Sequence, residues 1–268
     1  MNAPSPAPVA LVTGAARGIG AATAALLAAA GWRVALVDAC ADLPGIDYPM
    51  ARREDLDAAV EACGGPEQAI GVVADVRDRS AVEAAVAAAT GRWGRLDAAV
   101  SAAGCIAGGA CAWETPAEVW ETLVSVNLGG VWVLAAAAVP ALLQAPEPRR
   151  GRLVAVSSAA ALVGLPQLAA YCAAKAGVVG LVRALAAELG AHGITANAVA
   201  PGSTRTAMLD ASARVYGLQG TEEFASHHLL GRLLEPREPA AAAAWLCSEE
   251  ASGVTGAVLA VDAGMTAR

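Results

Sequence analysis

The most constraining stretch of this chain lies near its start, where a short apolar run stops abruptly at a glycine-rich turn. Val9 to Thr13 is apolar up to its last residue, as a buried parallel strand would be, and TGAARGIG follows with Gly14, Gly18 and Gly20. An alanine- and leucine-rich helix, Ala21 to Ala30, comes directly after. Strand, glycine turn and helix in that order place backbone N–H groups and a helix N-terminus against a phosphate, with glycine allowing close approach. A second apolar strand, Trp32 to Val37, ends on Asp38, 18 residues beyond Gly20. A carboxylate about 20 residues on is suited to hydrogen-bond an adenosine ribose and repels a 2′-phosphate. Ala39 brings no compensating cation, so NAD is expected rather than NADP, although Arg17 leaves a 2′-phosphate one opening.

The same alternation continues to the end. Further strands are expected at Ala69 to Ala74, Asp97 to Ser101, Arg152 to Ser157, Ile194 to Val199 and Val258 to Val261. Between them lie helices from Arg79 to about Arg92, from Val119 to Leu143, from Leu168 to Leu189 and from Glu238 to Cys247. Thr115, Pro116 and Glu118 read as a capping box with proline in the first turn of the second of these helices. No linker or charge block divides the 268 residues, so residues 1–268 form one α/β domain: a doubly wound sheet of about seven parallel strands with helices on both faces. Strand C-terminal ends then share one edge, where ligands bind, and Gly14, Asp38, Asp75, Gly104, Ser158 and Pro201 all fall there.

Two features resist the ordinary pattern. After Asp38, the residues CADLPGIDYPMARR delay the next helix to near Glu54, longer than the usual ~2–6-residue connection. This insert, 39–53, is either a surface loop or a cover folded over the adenosine end. Asn127, in SVNLGG, sits inside a helix, where asparagine competes for backbone hydrogen bonds. It marks either a distorted helix aimed at a site or a tolerated interior residue.

Lys175 is the only lysine among 18 basic residues, and Tyr171, one of three tyrosines, lies four residues before it. On a helix these share one face, and an ammonium near a phenol favours the phenolate below its reference pKa of about 10. The pair is a general acid/base in outline, or else a packed tyrosine beside a solvated lysine.

A net charge of −7 argues against a nucleic-acid partner. The N-terminus shows no export signal, and the apolar run Leu128 to Leu143 is short for a membrane span. Six cysteines without paired spacing and three histidines, two of them adjacent, give no expected metal site and fit a reducing, cytoplasmic compartment.

Together these residues resemble the short-chain dehydrogenase/reductase family over essentially the whole chain, within a Rossmann-type fold. The matching motifs are TGxxxGxG at Thr13 to Gly20 (including Ile19), Asp75-Val76, Asn127, Ser158 thirteen residues before Tyr171, YxxxK, and Pro201-Gly202. The resemblance implies that Tyr171 donates or accepts the proton and Ser158 orients the substrate oxygen. Lys175 would hold the nicotinamide ribose and lower the tyrosine pKa, and Asn127 would support a proton-relay water. It also implies that Asp75 and Val76 contact adenine and that Thr204 and Thr206 contact the carboxamide and pyrophosphate. One departure is clear: the usual NNAG is here Ser101-Ala102-Ala103-Gly104, so the asparagine roles do not transfer.

The insert, with PGSTRTAMLDAS and VYGL, is further similar to the mycofactocin-associated subgroup. That likeness implies a nicotinamide cofactor buried against exchange, with mycofactocin carrying electrons away. The expected substrate is a neutral hydrophobic alcohol or ketone, walled by Cys105, Ile106, Ala160 to Leu165 and a lid within 203–234. An ordinary reductase with exchangeable NADH, acting for example on 3-oxoacyl thioesters, is the alternative enzyme. A catalytically silent NAD-sensing protein is the alternative of another class. Family analogy adds a homotetramer.

Overall fold

The computed structural model describes residues 7–145 and 149–267. Residues 1–6, which open the segment read for export signals, lie outside the described residues. Seven strands form one sheet: β1 (Val9–Thr13), β2 (Arg33–Asp38), β3 (Ala69–Val73), β4 (Ala98–Ser101), β5 (Arg152–Val156), β6 (Thr195–Pro201) and β7 (Val258–Val261). Their spatial order is β3-β2-β1-β4-β5-β6-β7, and every pair is parallel. The order reverses between β1 and β4, which opens a crevice at the strands' C-terminal ends.

Successive β-strand side chains point to opposite faces, and β1 shows what that produces here. Val9 and Leu11 join the core beneath α3 (Arg79–Trp93), α5 (Gly130–Leu143) and α6 (Ala169–Leu189). Ala10 and Val12 join the core beneath α1 (Gly18–Ala29), α2 (Arg53–Ala62) and α8 (Arg237–Cys247). The expected single doubly wound sheet with helices on both faces is therefore the observed one. Alanine on the inner faces lets these helices lie close to the strands.

Two helical stretches, Ala117–Leu143 and Ala169–His192, are long and apolar enough by composition to cross a bilayer. Leu134, Ala138, Leu142, Val178 and Val182 from these stretches are buried in the core against the sheet.

Local corrections are small and physical. Thr115 does not cap α4 (Ala117–Val124): its hydroxyl donates to the Cys111 carbonyl, and Pro116 itself stands at the cap position. Between α4 and α5 the helix widens into a π turn over Ser125–Gly129, so the distortion expected at Asn127 is present. The segment 203–234, expected to hold a substrate lid, contains α7 (Ala207–Val215) and a 3₁₀ stretch, Thr221–His227. A backbone bridge between Thr204 and Leu234 ties its two ends together.

Candidate active site

A cavity of about 910 Å³ runs along the C-terminal edge of the sheet and gathers most of the expected residues. At one end lie Gly14, Arg17, Gly18, Ile19 and Gly20. Gly14 has φ +65°, and a Cβ there would stand 2.5 Å from the backbone of Ala103. A Cβ on Gly20 would stand 2.1 Å from the Gly14 carbonyl oxygen. The turn can therefore close only without side chains. Arg17, the N-cap of α1, makes no side-chain cap, which leaves the first N–H groups of that helix open to an anion.

Asp38 ends β2 beside this turn. Its carboxylate accepts from Ala16 N (3.2 Å) and Cys40 N (3.2 Å), which fixes its orientation at the cavity wall. Glycine cradle, open helix N-terminus and fixed carboxylate suit the pyrophosphate and ribose of NAD. Asp75 and Val76 also line the cavity. Burial pulls the Asp75 pKa upward, but the hydrogen bonds from the Arg77 side chain and backbone outweigh it and hold the carboxyl below its usual range.

The centre of the cavity belongs to β5, α6 and the π turn. Ser158 follows β5; its Oγ accepts from Ala160 N at 3.1 Å, and its hydroxyl also acts on the phenol of Tyr171. Tyr171 is 7% exposed, and its hydroxyl faces Met208 Sδ at 3.9 Å. Lys175 is 3% exposed, donates to the Val156 carbonyl at 2.9 Å, and holds Nζ 5.7 Å from the Tyr171 ring centroid. The solvated-lysine reading is thus ruled out by burial.

The expected lowering of the tyrosine pKa is not found. Burial pushes the Tyr171 phenol up to about 12, with the Ser158 hydrogen bond pulling the other way. Lys175 Nζ is directed at a carbonyl rather than at the phenol oxygen, and burial brings its own pKa down to about 8.

Asn127 is fully buried and wired into the backbone. Its Nδ2 donates to the carbonyls of Cys105 (3.0 Å) and Leu123 (2.9 Å), while Oδ1 accepts from Cys105 N (3.3 Å). A Cβ on Gly104 would meet Asn127 Oδ1 at 2.9 Å and Lys175 Nζ at 3.5 Å, so this glycine lets three elements converge. Cys105, expected in the substrate wall, instead lies fully buried behind it, where Asn127 holds its backbone. Ile106, Ala160, Leu165 and Met208 do line the cavity, whereas Leu162 is 45% exposed.

At the far end Pro201, Gly202, Thr204 and Thr206 line the same space. The two threonine hydroxyls donate to the carbonyls of Gly202 (3.0 Å) and Thr204 (3.2 Å). His228, absent from the sequence expectations, fixes this loop. It is 2% exposed; Nε2 accepts from Ser203 N at 3.1 Å, and Nδ1 pairs with the Arg232 carbonyl at 2.6 Å. Those partners require the neutral tautomer with its proton on Nδ1. The signal available was the rarity of histidine, which the sequence reading used only against a metal.

The insert after Asp38 reaches further than the adenosine end. It starts from β2, passes the β1 turn and ends against the segment following β4. Arg17 Nη2 donates to the Pro49 carbonyl at 2.8 Å, and Tyr48 packs beside Ile106 with its hydroxyl accepting from Ile106 N at 3.3 Å. Leu43 and Tyr48 share one buried apolar cluster with Tyr171.

A dinucleotide cradle joined in one cavity to Ser158 and the buried Tyr171 and Lys175 defines a dinucleotide-binding oxidoreductase. The family model described as enoyl-(acyl carrier protein) reductase matches residues 14–266. A (−)-trans-carveol dehydrogenase of Rhodococcus erythropolis is 38% identical over 272 residues, covering 96% of this chain and 97% of that protein. A trans-4-hydroxycyclohexanecarboxylate dehydrogenase of Sinomonas cyclohexanicum is 38% identical, covering 97% and 93%. The crystal structure of carveol dehydrogenase from Mycobacterium avium in complex with NAD has a TM-score of 0.91 at 33% identity, with 100% of both chains covered. The chain belongs to the short-chain dehydrogenase/reductase family.

Proposed function

We propose that this NAD-dependent dehydrogenase interconverts a neutral, hydrophobic secondary alcohol and its ketone, with Tyr171 as the proton-transfer group. The observation that carries the reading is the placement of Ser158, Tyr171 and Lys175 between a dinucleotide cradle and an apolar pocket of Ile106, Ala160, Leu165, Leu168, Met208 and Leu218. Bound NAD supplies the hydride acceptor, or NADH the donor. Ser158 orients the substrate oxygen and Tyr171 exchanges the proton with it. With its phenol near 12, Tyr171 is neutral at pH 7 and ready to donate in the ketone-reducing direction. Alcohol oxidation requires the phenolate, which burial disfavours. Lys175 lends positive charge and a ribose contact, and Asn127 holds the Cys105 backbone behind the cavity wall and supports a relay water. Adenine contacts fall to Asp75 and Val76, and those at the nicotinamide end to Thr204 and Thr206.

The named relatives and NAD-bound neighbour support an alcohol/ketone substrate. The neutral class is favoured by the carveol of one relative's name and, in the Sphingobium indicum protein 36% identical to this chain, a 2,5-dichloro-2,5-cyclohexadiene-1,4-diol, whereas the hydroxycyclohexanecarboxylate of another is a charged alcohol. An acidic acyl carrier is disfavoured, because the cationic side chains at the cavity are engaged: Arg17 with Pro49, and Arg205 with Glu222 and Glu235.

The insert 39–53 closes over the cofactor, so that NAD is retained and mycofactocin is the electron carrier; the Arg17–Pro49 and Tyr48–Ile106 contacts support this reading. Residues 203–234 act as the substrate lid. The enzyme works in the cytoplasm, which suits six free cysteines, and as a homotetramer, which suits the exposed Trp120 and Trp132 on the long α4–α5 helix.

The test is to purify the protein without nucleotide, denature it and quantify released NAD(H). About one equivalent, with no prior exchange against labelled NAD, is expected; empty protein that turns over with free NAD overturns the retained-cofactor reading. In parallel, Tyr171→Phe should lose roughly 10²- to 10⁴-fold in turnover. Near wild-type turnover removes Tyr171 from the chemistry.

A further inference from the structure

The phenol of Tyr48 is a buried polar group in the cavity wall that the proposed chemistry does not use. It is 5% exposed, and its ring lines the cavity. Its oxygen accepts from Ile106 N, yet among the described residues no acceptor takes its proton. Three other hydroxyls of the cavity wall differ in this respect. Ser157 donates to the Lys175 carbonyl, Ser212 to that of Met208 and Tyr216 to that of Pro166. Those three are tied into the backbone. Tyr48 alone of these carries a spare donor, set among the apolar side chains of Leu43, Ile106 and Leu168, and a buried donor without a partner is costly.

The direction of approach matters as much. Ser158 and Tyr171 address the reacting oxygen from β5 and α6. Tyr48 comes from the insert and is held over Ile106, on the side of the crevice beyond β4. It shares a cluster with Tyr171 and Leu168, so the two phenols face one apolar space from different elements. A ligand filling that space meets Tyr171 at one oxygen and has a donor waiting elsewhere.

We infer that Tyr48 is a specificity-determining residue that donates a hydrogen bond to a second oxygen of the substrate, away from the reacting carbon. The enzyme then prefers an alcohol bearing a second hydroxyl or carbonyl over its singly oxygenated counterpart. A site built to hydrogen-bond a substrate group discriminates against analogues lacking it, because its own buried donor is then left unpaired. This inference rests on the alcohol/ketone reading above.

The experiment compares wild type and Tyr48→Phe on cyclohexane-1,4-diol and cyclohexanol. Equilibrium binding of cyclohexane-1,4-dione and cyclohexanone is measured in parallel. Wild type should favour the diol, and Tyr48→Phe should lower kcat/KM for the diol by about three- to tenfold, mainly through KM, as loss of one neutral hydrogen bond does. Cyclohexanol reports any loss common to both substrates, since the Tyr48–Ile106 contact also holds the insert. Such a common loss is expected to be small; it arises from the Ile106 amide losing its acceptor, and the ratio of the two substrates removes it. Equal losses on both overturn the inference. So does release of NAD by the variant with the ratio unchanged, which assigns the phenol to the cofactor. Should wild type oxidise neither alcohol, the substrate class proposed above fails, and the binding ratio of dione to monoketone still decides the role of Tyr48.

Discussion

Replacing Lys175 with methionine should make the folded protein more stable while destroying its activity. The ammonium is 3% exposed, and burial lowers its pKa from 10.5 to about 8. Below pH 8 the lysine is charged in both folded and unfolded chains, and the folded state bears the whole burial penalty. Between pH 8 and 10.5 the unfolded chain holds a proton that the folded one lacks, so stability rises with pH across that window. At 1.36 kcal/mol per pH unit, the fall from 10.5 to about 8 corresponds to about 3 kcal/mol. Methionine keeps most of the side-chain volume and carries no charge, but it strips the Val156 carbonyl of its donor, which costs about 1–2 kcal/mol. The net expectation at pH 7 is a gain of about 1–2 kcal/mol, or a Tm higher by several degrees. The assay is urea unfolding at pH 7 and pH 10 of wild type and Lys175→Met, each first denatured, stripped of nucleotide and refolded. The gap should narrow or reverse at the higher pH, where wild-type Lys175 is neutral when folded. A variant less stable than wild type at pH 7, or a gap indifferent to pH, refutes the reasoning.

Two further substitutions probe the cradle and the π turn. Gly20→Ala places a Cβ 2.1 Å from the Gly14 oxygen, a backbone atom that cannot rotate aside. The purified variant should carry little or no NAD(H) and lose about 1–3 kcal/mol of stability, as overpacking does, read by nucleotide content and urea midpoint. Asn127→Leu strips the Cys105 N–H and carbonyl of their side-chain partners, so unfolding free energy should fall by about 2–5 kcal/mol; an unchanged urea midpoint would argue against the network.

How much of this was legible in the sequence depends on the range of the interaction that fixes each feature. The glycine turn was readable because Gly14, Gly18 and Gly20 are required by local backbone geometry, and the strands were readable because buried parallel strands are apolar throughout. Tyr171 and Lys175 were readable because four residues on a helix fix their relation. Their pKa values were not, since burial depends on what packs from elsewhere. The reach of Tyr48 to Ile106, 58 residues on, is a tertiary contact without periodic signature. The same holds for His228, whose partners are backbone groups that any sequence would supply. Thr115 shows the converse failure: a good capping pattern was overridden when its hydroxyl found the Cys111 carbonyl.

The π turn has an implication for how this chain can change. Each helical residue advances the direction of a side chain by roughly 100°. The extra residue accommodated in Ser125–Gly129 therefore sets the rotational phase between the half of the helix that presents Asn127 and the half that buries Leu134, Ala138 and Leu142. Removing one residue there would swing α5 about its own axis, turning its alanine face off the sheet and bringing other side chains round to it. Single-residue deletions in this helix should be far less tolerated than substitutions at its exposed positions, even where the deleted side chain touches nothing.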